Sequence, residues 1–503
     1  MLRDSEISMN PNPLVRSLRK PSAEFTKYDI INYIEEQGIK MLNFRYVAED
    51  GKLKTLNFVV NSKYHLETLL STGERVDGSS LFSFIEAGKS DLYVIPRFKT
   101  AYLNPFTEVP TLDVLCGYYT AEGQPLASAP ENILHKAHEM FKRETGFTLK
   151  AMGELEYYVV SAKGHLYPER DQKGYHSSPP FTNWDKLRTE AMVLIAQCGG
   201  QIKYGHSEVG NFSTDNEEFE QHEIEFLPVD LEDAADQLVV AKWILRMLGN
   251  KYGVNISFAP KITVGKAGSG LHIHMALHKD GENMMIEKGK LSNNARKLIA
   301  GLLDNAMALT AFGNTIPTSY LRLVPHQEAP TNICWGDTNR SSLVRVPLGW
   351  VAETSMIKNA NPQETSEIPY IPGKQTVELR SPDGSADVYL LLAGIAVSGA
   401  YGLTQLENPL EMAEKLYVSV NIFREENKAR QNQLQHLPIS CYESADCLED
   451  KRHIFEANGI FPAGTIDRII DQLKAFEDKD LSHKLYGDNK AIRELVDKHL
   501  HCM

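Results

Sequence analysis

The sequence predicts an α+β chain in which a small sheet-and-helix domain precedes a larger domain built on a second sheet. Short runs in which apolar and polar residues alternate are typical of strands, and stretches with helical periodicity separate them. The length of 503 residues is sufficient for one large hydrophobic core or for two to three ordinary ones. A small first domain followed by a larger one is consistent with both observations.

The N-terminal domain is predicted at residues 23–122, after a polar and proline-containing leader at 1–22. The composition of Glu49-Asp50-Gly51 is typical of a hairpin turn between two strands. The predicted elements are a helix at 27–36, strands at 41–46 and 53–60, a helix at 63–71, and strands at 91–95 and 114–119.

Residues 123–503 are predicted to form the larger domain, which ends in a helical tail. Its first helix starts at Pro130 with Ser128 as the N-cap and ends at Gly146. The predicted strands are 149–161, 221–227, 271–276 and 376–380, and the predicted helices are 185–197, 231–251, 295–311, 388–403, 445–455, 463–476 and 490–499. Because the connections between these strands are long and helical, they are compatible with either a parallel or an antiparallel sheet.

The composition argues against a nucleic-acid or membrane partner. The formal net charge is -13, and the sequence has no concentrated block of Lys and Arg. Nucleic-acid binding needs such positive charge, because it depends on neutralising phosphates. The N-terminus does not have the pattern of a signal peptide, and the longest apolar run is shorter than the about 20 residues that a membrane span needs. The six cysteines lack a C-x-x-C spacing, which favours free thiols in a reducing compartment, and we therefore expect the cytoplasm.

Four predicted strands of the larger domain share one pattern, in which charged or imidazole side chains flank an apolar residue. They are Glu154-Leu155-Glu156, Glu223-Ile224-Glu225, His272-Ile273-His274 and Glu378-Leu379-Arg380. Since side chains alternate between the faces of a strand, the polar groups point to one face and the apolar residues to the other. For one strand alone, an ordinary solvent-facing strand is the commoner explanation. The repetition in four strands favours a functional face instead.

Carboxylates that lie side by side on such a face repel one another unless cations lie between them. The face therefore predicts either bound metal or raised carboxyl pKa values, and we favour metal. Oxygen ligands with one imidazole suit two or more Mg²⁺ or Mn²⁺ ions better than zinc. Two such ions are typical of phosphate chemistry, in which they neutralise developing charge and orient the transferred group.

Arginines in the second half of the larger domain add fixed positive charge. They are Arg322, Arg340, Arg345 and Arg380. Each one alone is more often a surface or ion-pair residue. Beside an acidic metal-binding face, however, their guanidinium groups fit the oxygen atoms of a nucleoside triphosphate and of a carboxylic acid substrate.

Taken in order, the motifs of the chain resemble those of bacterial-type glutamine synthetases from about Lys27 to the C-terminal helices. They are Asp77-Gly78-Ser79-Ser80, Gly153-Glu154-Leu155-Glu156, Gly174-Tyr175, His206-Ser207-Glu208-Val209, Gln221-His222-Glu223-Ile224, Gly268 to His274, Arg322 to Pro325 with Glu328-Ala329-Pro330, Asn339-Arg340-Ser341, and Glu378-Leu379-Arg380. The resemblance implies a β-grasp-like N-terminal domain and a catalytic domain whose antiparallel sheet carries the active site. It also implies stacked rings of six subunits with active sites between subunits.

The resemblance also implies a role for each matching residue. The implied ligands of one metal ion are Glu156, Glu208 and Glu223, and those of the second are Glu154, His272 and Glu378. The implied ATP-binding residues are Phe226, His274, Arg340 and Arg345, and the implied substrate-binding residues are Gly268, Arg322 and Arg380. The implied catalytic residues are Asp77, Ser80, Tyr175, Glu328 and Arg340, of which Asp77 would reach into the neighbouring subunit's site to bind and deprotonate ammonium.

The implied reaction is the ATP-dependent ligation of ammonia to the γ-carboxylate of glutamate through γ-glutamyl phosphate, giving glutamine. A ligase for a larger amine is an alternative, because Ala267 stands where the family usually has Asn and His326-Gln327 alters the flap. A non-catalytic relative is a second alternative. It should have lost metal ligands or phosphate-binding arginines, yet all of the implied ones are present.

Two further departures from the family pattern lead to expectations about structure and regulation. The acidic segment 211–220 is longer than the family's connection, and we expect a loop that bulges from the edge of the metal site. Tyr417 lacks the Asp-Leu-Pro that usually follows the family's regulatory tyrosine, so we do not expect adenylylation there.

Overall fold

The computed structural model describes residues 4–85, 90–164, 166–167, 170–324, 329–349, 354–367, 373–485 and 488–503. Within these residues, a six-stranded sheet in the N-terminal part is followed by a ten-stranded sheet and by helices that cover one of its faces. The α+β class predicted from the sequence is confirmed.

The described residues of the N-terminal part form four α-helices and six strands. They are α1 (Asp4–Met9), α2 (Pro13–Leu18), α3 (Lys27–Gln37), β1 (Met41–Val47), β2 (Leu53–Val59), α4 (Lys63–Thr72), β3 (Glu74–Asp77), β4 (Asp91–Pro96), β5 (Tyr102–Leu103) and β6 (Thr111–Tyr119). The main strand order is β2-β1-β6-β4-β3, in which β1 and β6 are parallel and the other neighbours are antiparallel.

The leader predicted at 1–22 contains two short helices, α1 and α2. Asn12 caps α2 by accepting a hydrogen bond from the main-chain nitrogen of Leu14 at 2.9 Å. Leu14 and Val15 are buried in the core of the N-terminal sheet, which anchors this segment. Helices of six residues are too short to show a helical period, so hydrophobic periodicity did not indicate them.

The second part carries most of the helices. Its elements are α5 (Pro130–Thr145), β7 (Thr148–Ala162), α6 (Asp185–Gln197), β8 (Ile202–Ser213), β9 (Glu217–Phe226), β10 (Val229–Asp230), α7 (Leu231–Tyr252), β11 (Asn255–Ser257), β12 (Leu271–Lys279), β13 (Glu282–Asn283), β14 (Ile286–Glu287), β15 (Lys290–Leu291), α8 (Asn293–Asp304), α9 (Ala306–Gly313), α10 (Pro317–Arg322), β16 (Trp335–Asp337), β17 (Val344–Val346), α11 (Thr354–Ala360), β18 (Val377–Leu379), α12 (Val388–Thr404), α13 (Pro409–Lys415), α14 (Lys428–Gln431), α15 (Cys441–Phe455), α16 (Ala463–Lys474), α17 (Leu481–Lys484) and α18 (Asn489–His499).

The large sheet is antiparallel along almost all of its length, which decides between the two topologies compatible with the sequence. Its main strand order is β16-β17-β18-β12-β7-β9-β8, and only β16 and β17 pair in parallel. The apolar residues of the four charged strands, namely Leu155, Ile224, Ile273 and Leu379, are all buried in the main hydrophobic core. The same core contains residues of α5, α7, α8 and α12, so the opposite face of the sheet is left for the charged side chains.

Three local predictions are wrong. The N-cap of α5 is Ala129 and makes no side-chain hydrogen bond, so Ser128 does not cap the helix. The helix predicted at 295–311 is divided at Asn305 into α8 and α9. Residues 211–220 do not form a bulging loop, because most of them extend the β8–β9 hairpin and Phe212 stacks on Phe219 with ring centroids 4.4 Å apart. A register shift between Ser207 and Asn211, before this segment, introduces a bulge into β8.

Among the described residues, no single helix has both the length and the hydropathy of a membrane span. Helices α12 and α13 reach them only together, as a pair bent by 110°. The six cysteines are free, as their spacing predicts.

Two ion pairs attach the N-terminal part to α7. Arg97 donates through both of its terminal nitrogens to the carboxylate of Asp236 at 2.8 Å, and Asp236 also accepts a hydrogen bond from the hydroxyl of Tyr389. Lys99 pairs with Asp233 nearby, where both side chains are exposed to solvent. The first pair is therefore well shielded and the second is not.

We expect Arg97→Met to lower the free energy of unfolding by about 3 kcal/mol, because it leaves the Asp236 carboxylate without its counter-charge. The matched variant Lys99→Met should cost less than about 1 kcal/mol, since exposed ion pairs contribute little. Urea-induced unfolding followed by circular dichroism measures both changes. Equal losses of unfolding free energy in the two variants would show that the shielded ion pair contributes no more to stability than the exposed one.

Candidate active site

The charged face of the large sheet lines a cavity of about 1220 Å³. Strands β7, β8, β9, β12, β17 and β18 contribute side chains to it, together with the loops that precede β12 and β17. The site residues named from the sequence that line this cavity are Glu154, Glu156, Tyr175, Glu208, Glu223, Gly268, His272, His274, Arg322, Arg340, Arg345, Glu378 and Arg380.

Strand register brings the charged side chains together. In one row across the sheet, His272 of β12 pairs with Glu154 of β7, which pairs in turn with Glu225 of β9. In the next row, Glu156 pairs with Glu223. Directly opposite residues on neighbouring antiparallel strands have Cβ atoms about 5 Å apart, so acids from separate strands share one small volume.

Glu154, His272 and Glu378 offer ligand atoms that all lie within 4.8 Å of one another. The Nδ1 atom of His272 lies 2.9 Å from a carboxylate oxygen of Glu154 and 3.5 Å from one of Glu378. These are the three residues that the sequence motifs assign to one metal ion. Two carboxylates and one imidazole at this spacing fit a hard divalent cation.

The second group of ligand atoms consists of His206, Glu208 and Glu223, again within 4.8 Å. The Nε2 atom of His206 lies 3.3 Å from Glu223, and its Nδ1 atom lies 3.7 Å from Glu208. His206 belongs to a motif quoted for the family resemblance, but the resemblance implies no role for it. His206 and Glu208 form an i, i+2 pair on β8 like those of the other strands, and that pattern could have indicated it.

Glu156 is not a member of the second group of ligand atoms. One oxygen of its carboxylate accepts hydrogen bonds from the main-chain nitrogen of Gly270 at 2.6 Å and from the side chain of Gln221 at 3.2 Å. This oxygen holds the start of β12 against β7. Glu156 lies beside the group through its register partner Glu223, but its assignment to that metal ion remains a prediction.

A third group joins Glu154 to His274 and Glu225. The Nε2 atom of His274 lies 2.8 Å from Glu154, and its Nδ1 atom lies 2.9 Å from the hydroxyl of Thr376. The family resemblance implies no role for Glu225, although it belongs to one of the charged strand patterns. Its carboxylate pairs with Lys203 at 2.5 Å. Among the described residues, His274 is thus held between strands at the edge of the metal-binding face.

The acids of this face differ in pKa. Burial raises the pKa of Glu223 well above its usual range, and the charges of Glu154 and Glu156 raise it further. Burial also opposes ionisation of Glu154, but the charges and hydrogen bonds of His274 and His272 outweigh it and hold its pKa well below the usual range. The donor set therefore has an excess of carboxylates around Glu223, which bound divalent cations would neutralise.

The four arginines lie in different environments. Arg345 and Arg380 each donate to the carboxylate of Glu378 at 2.9 Å, and Arg380 also donates to the main-chain oxygen of Arg340. Arg322 donates to the main-chain oxygen of Ser381 at 2.8 Å and is almost fully buried. The guanidinium group of Arg340 is exposed and makes no hydrogen bond to the described residues, so it is available for an anionic ligand.

Gly268 lies where only a glycine fits. A Cβ atom there would lie 2.9 Å from Cγ of Arg322 and closer still to the main-chain oxygen of Pro260. The loop around it is held by the hydroxyl of Tyr158, which donates to the main-chain oxygen of Ala267 at 2.8 Å. The main chain of Gly268 is thereby fixed next to the aliphatic part of the Arg322 side chain.

Tyr175 lies at the end of the cavity that contains Glu208. Its side chain is half exposed, and its ring centroid lies 4.3 Å from that of His176 and 5.5 Å from that of His206. The rings of His176 and His206 are themselves 4.3 Å apart. An aromatic surface therefore borders one of the carboxylate groups.

The remaining site residues do not line this cavity in the part of the chain that the structure describes. Asp77 and Ser80 lie on the surface of the N-terminal part, where hydrogen bonds from Ser79 and Ser80 lower the pKa of Asp77 to about 2. The side chain of Phe226 is fully buried in the core, so only its main chain is available to a nucleotide. Glu328 lies outside the described residues.

We expect Glu154→Gln to weaken the binding of Mn²⁺ at least about tenfold, because Glu154 belongs to two of the three ligand groups. Electron paramagnetic resonance of free Mn²⁺ measures the affinity without any turnover. The matched control is Glu217→Gln, at the exposed start of β9, where the carboxylate pairs with Arg493. Identical Mn²⁺ affinities in the two variants would exclude Glu154 as a ligand.

Comparisons with known proteins agree with this architecture. Residues 38–121 match the family described as "Glutamine synthetase, beta-Grasp domain", and residues 127–485 match "Glutamine synthetase, catalytic domain". The chain is 30% identical over 447 residues to the glutamine synthetase of Clostridium saccharobutylicum, with coverage of 87% of this chain and 92% of that protein. It is 28% identical over 446 residues to that of Thermus thermophilus, with coverage of 86% and 92%.

Solved structures show the same fold. A structure of Plasmodium falciparum glutamine synthetase has a TM-score of 0.73 at 21% identity and covers 90% of this chain and 96% of its own. The structure described as "Apo GmaS without ligand" has a TM-score of 0.70 at 19% identity, with the same coverage. The predicted β-grasp-like N-terminal domain and larger catalytic domain are confirmed, and the chain belongs to the glutamine synthetase family.

Proposed function

We propose that the chain catalyses the ATP-dependent ligation of ammonia to the γ-carboxylate of glutamate, giving glutamine. The observation that carries this proposal is the placement of three carboxylate-and-imidazole groups and the exposed guanidinium group of Arg340 around one cavity. Such a site can bind a nucleoside triphosphate with divalent cations, and family membership makes glutamate and ammonia the co-substrates to test first.

In the proposed first step, the γ-phosphoryl group of ATP passes to a side-chain carboxylate oxygen of glutamate, and ADP leaves. Two or more Mg²⁺ or Mn²⁺ ions, when bound, would neutralise charge on the transferred group. Arg340 would stabilise the phosphoryl oxygens, with His274 and Arg345 nearby on β12 and β17. Arg322 and the main chain of Gly268 would orient glutamate, and Arg380 would support them.

In the proposed second step, ammonia attacks the acyl phosphate carbon and inorganic phosphate leaves. Tyr175 and Glu208 would form one side of the ammonium site. Asp77 and Ser80 would complete it from a neighbouring subunit, as in the stacked rings of six that we propose for the assembly. The low pKa of Asp77 keeps its carboxylate ionised, which suits the attraction of ammonium. Glu328 would close the site against water. The free thiols support a cytoplasmic location.

A γ-glutamyl ligase for a larger amine is the second candidate. The rings of Tyr175, His176 and His206 provide an aromatic wall beside Glu208, and an alkyl group could pack against the ring faces. Ala267 also has no side-chain amide to offer, which leaves more room near the substrate. Alkylammonium ions are well suited to a pocket that combines a carboxylate with aromatic faces.

The first test is phosphate release from ATP in the presence of glutamate and Mg²⁺ or Mn²⁺, with ammonium compared with a series of primary amines. We expect ammonium to support the fastest release. Glu154→Ala should abolish phosphate release with every amine, whereas Asp77→Ala should mainly raise the KM for ammonium. Release with an amine but not with ammonium would select the second candidate, and no release with any of them would contradict both.

Co-expression tests whether Asp77 acts across a subunit interface. We expect mixed assemblies of Asp77→Ala and Arg340→Ala chains to recover up to about a quarter of the wild-type activity, because that fraction of interfaces would combine two unaltered residues. Each variant alone should remain far less active. Mixed assemblies without recovery would show that Asp77 serves the site of its own chain or no site.

A further inference from the structure

A second cavity, of about 190 Å³, lies between the N-terminal part and the catalytic part. The turn between β1 and β2 forms one wall, one side of α7 forms another, and the start of α12 closes the third. None of the candidate active-site residues contributes to its walls. The proposed function therefore leaves this cavity unexplained.

The cavity contains a buried lysine. The side chain of Lys242 on α7 is 5% exposed, and its ammonium group donates to the main-chain oxygen of Gly384 at 2.8 Å. It also lies 5.3 Å from the ring centroid of Phe258. No carboxylate of the described residues lies within 4.0 Å of it as an ion-pair partner. An ammonium group has three donors, and a buried charge without a counter-charge is unfavourable.

Nearby charges offset the positive charge of this cavity only in part. Asp387 is its one acid among the described residues, but the carboxylate caps α12 by accepting from the main-chain nitrogens of Tyr389 and Leu390. Arg246 donates to the main-chain oxygens of Cys502 and Met503 at 2.6 and 2.7 Å.

A third cation lies at the cavity's exposed edge. Lys52, in the β1–β2 turn, lines the cavity and makes no ion pair with the described residues. Lys242 and Lys52 have no carboxylate partner among the described residues, whereas Arg246 and Asp387 are already engaged. The cavity therefore has a net positive charge, which attracts anions.

The rest of the lining restricts the size and character of a ligand. Trp243, Val239 and Leu53 provide apolar surface around the cations. The volume is smaller than the roughly 300 Å³ at the low end of ordinary ligand pockets, which excludes a nucleotide. A compact molecule with one anionic group and a small apolar body fits both properties.

We propose that this interdomain cavity binds a small organic anion, whose carboxylate or phosphate group pairs with Lys242 and whose apolar body packs against Trp243. The anion would supply the counter-charge that Lys242 lacks. It would also contact the β1–β2 turn of the N-terminal part, and so join the two parts of the chain.

The same lysine connects the cavity to the active site. Gly384, which accepts its hydrogen bond, follows Arg380 by four residues in the chain and packs closely against Phe258. Two residues after Phe258, the main-chain oxygen of Pro260 accepts from the nitrogen of Ser269, next to Gly268. An anion that draws Lys242 toward itself therefore acts on both substrate-binding segments. This regulatory consequence rests on the proposed function, whereas the binding itself does not.

The test uses the full-length protein and three probes, namely benzoate, its neutral isostere benzamide, and inorganic phosphate. Binding is followed by the fluorescence of Trp243, with Trp243→Phe identifying the signal from this cavity. We expect benzoate to change the fluorescence saturably and benzamide to have no effect. If phosphate competes with benzoate, the site accepts a phosphate group. If phosphate does not compete, the site prefers carboxylates.

Two lysine variants on α7 provide the decisive comparison. Lys242→Met should weaken benzoate binding at least about tenfold, which corresponds to the loss of one charge-assisted contact. Lys251→Met, an exposed position on the same helix that pairs with Glu190, should leave the binding unchanged. If Lys242→Met does not fold, Lys52→Gln at the edge of the cavity should still weaken the binding severalfold.

The proposal is overturned if benzoate and benzamide bind equally, if none of the probes changes the Trp243 signal, or if Lys242→Met binds benzoate as the wild type does. Because the readout is fluorescence without ATP or glutamate, it is independent of catalysis. A protein that binds benzoate but releases no phosphate would therefore retain this inference and lose the proposed function.

Discussion

Repulsion between carboxylates on one face of the large sheet is the constraint on which the site depends. Glu154, Glu156 and Glu223 are brought together by strand register, and no local sequence preference favours their contact. The apolar side chains on the opposite face stabilise the arrangement, because their burial fixes the register from behind. Histidines and arginines offset part of the negative charge, and Glu378 is buried between two guanidinium groups. The negative charge that they do not offset is concentrated near Glu223, where it is suited to binding divalent cations.

Alternation along β9 divides its polar residues between two tasks. Glu223 and Glu225 point into the cavity, whereas the side chain of Glu220, on the alternate set, accepts from the main-chain nitrogens of Asn183 and Trp184. On the same side, Arg188 contacts both His222 and Ser207, and Ser207 donates to the main-chain oxygen of Ser177. These contacts hold the segment that carries Tyr175. The long hairpin is thus a support for the aromatic wall of the site.

The sequence predicted the positions of charged residues better than their partners. A period of two identifies the face to which Glu154 or His272 points, because strand geometry determines it. The period does not determine which residue on the next strand lies opposite. For this reason the sequence did not predict that His206 lies beside Glu223, or that the Glu156 carboxylate accepts a hydrogen bond from the Gly270 nitrogen. The bulge in β8 could not be predicted for the same reason, since a register shift depends on both strands.

The segment from Arg380 to Asp387 connects the features of the catalytic part. The main-chain oxygen of Ser381 accepts from Arg322 and Asn314, and that of Pro382 accepts from the nitrogen of Leu271. Gly384 then accepts from Lys242, and Asp387 caps α12. Hydrogen bonds therefore connect most of this segment to either the substrate-binding strand or the core helices. Because its hydrogen bonds are buried and mutually dependent, we expect a displacement at Gly384 to be transmitted to Arg380 or to the start of β12.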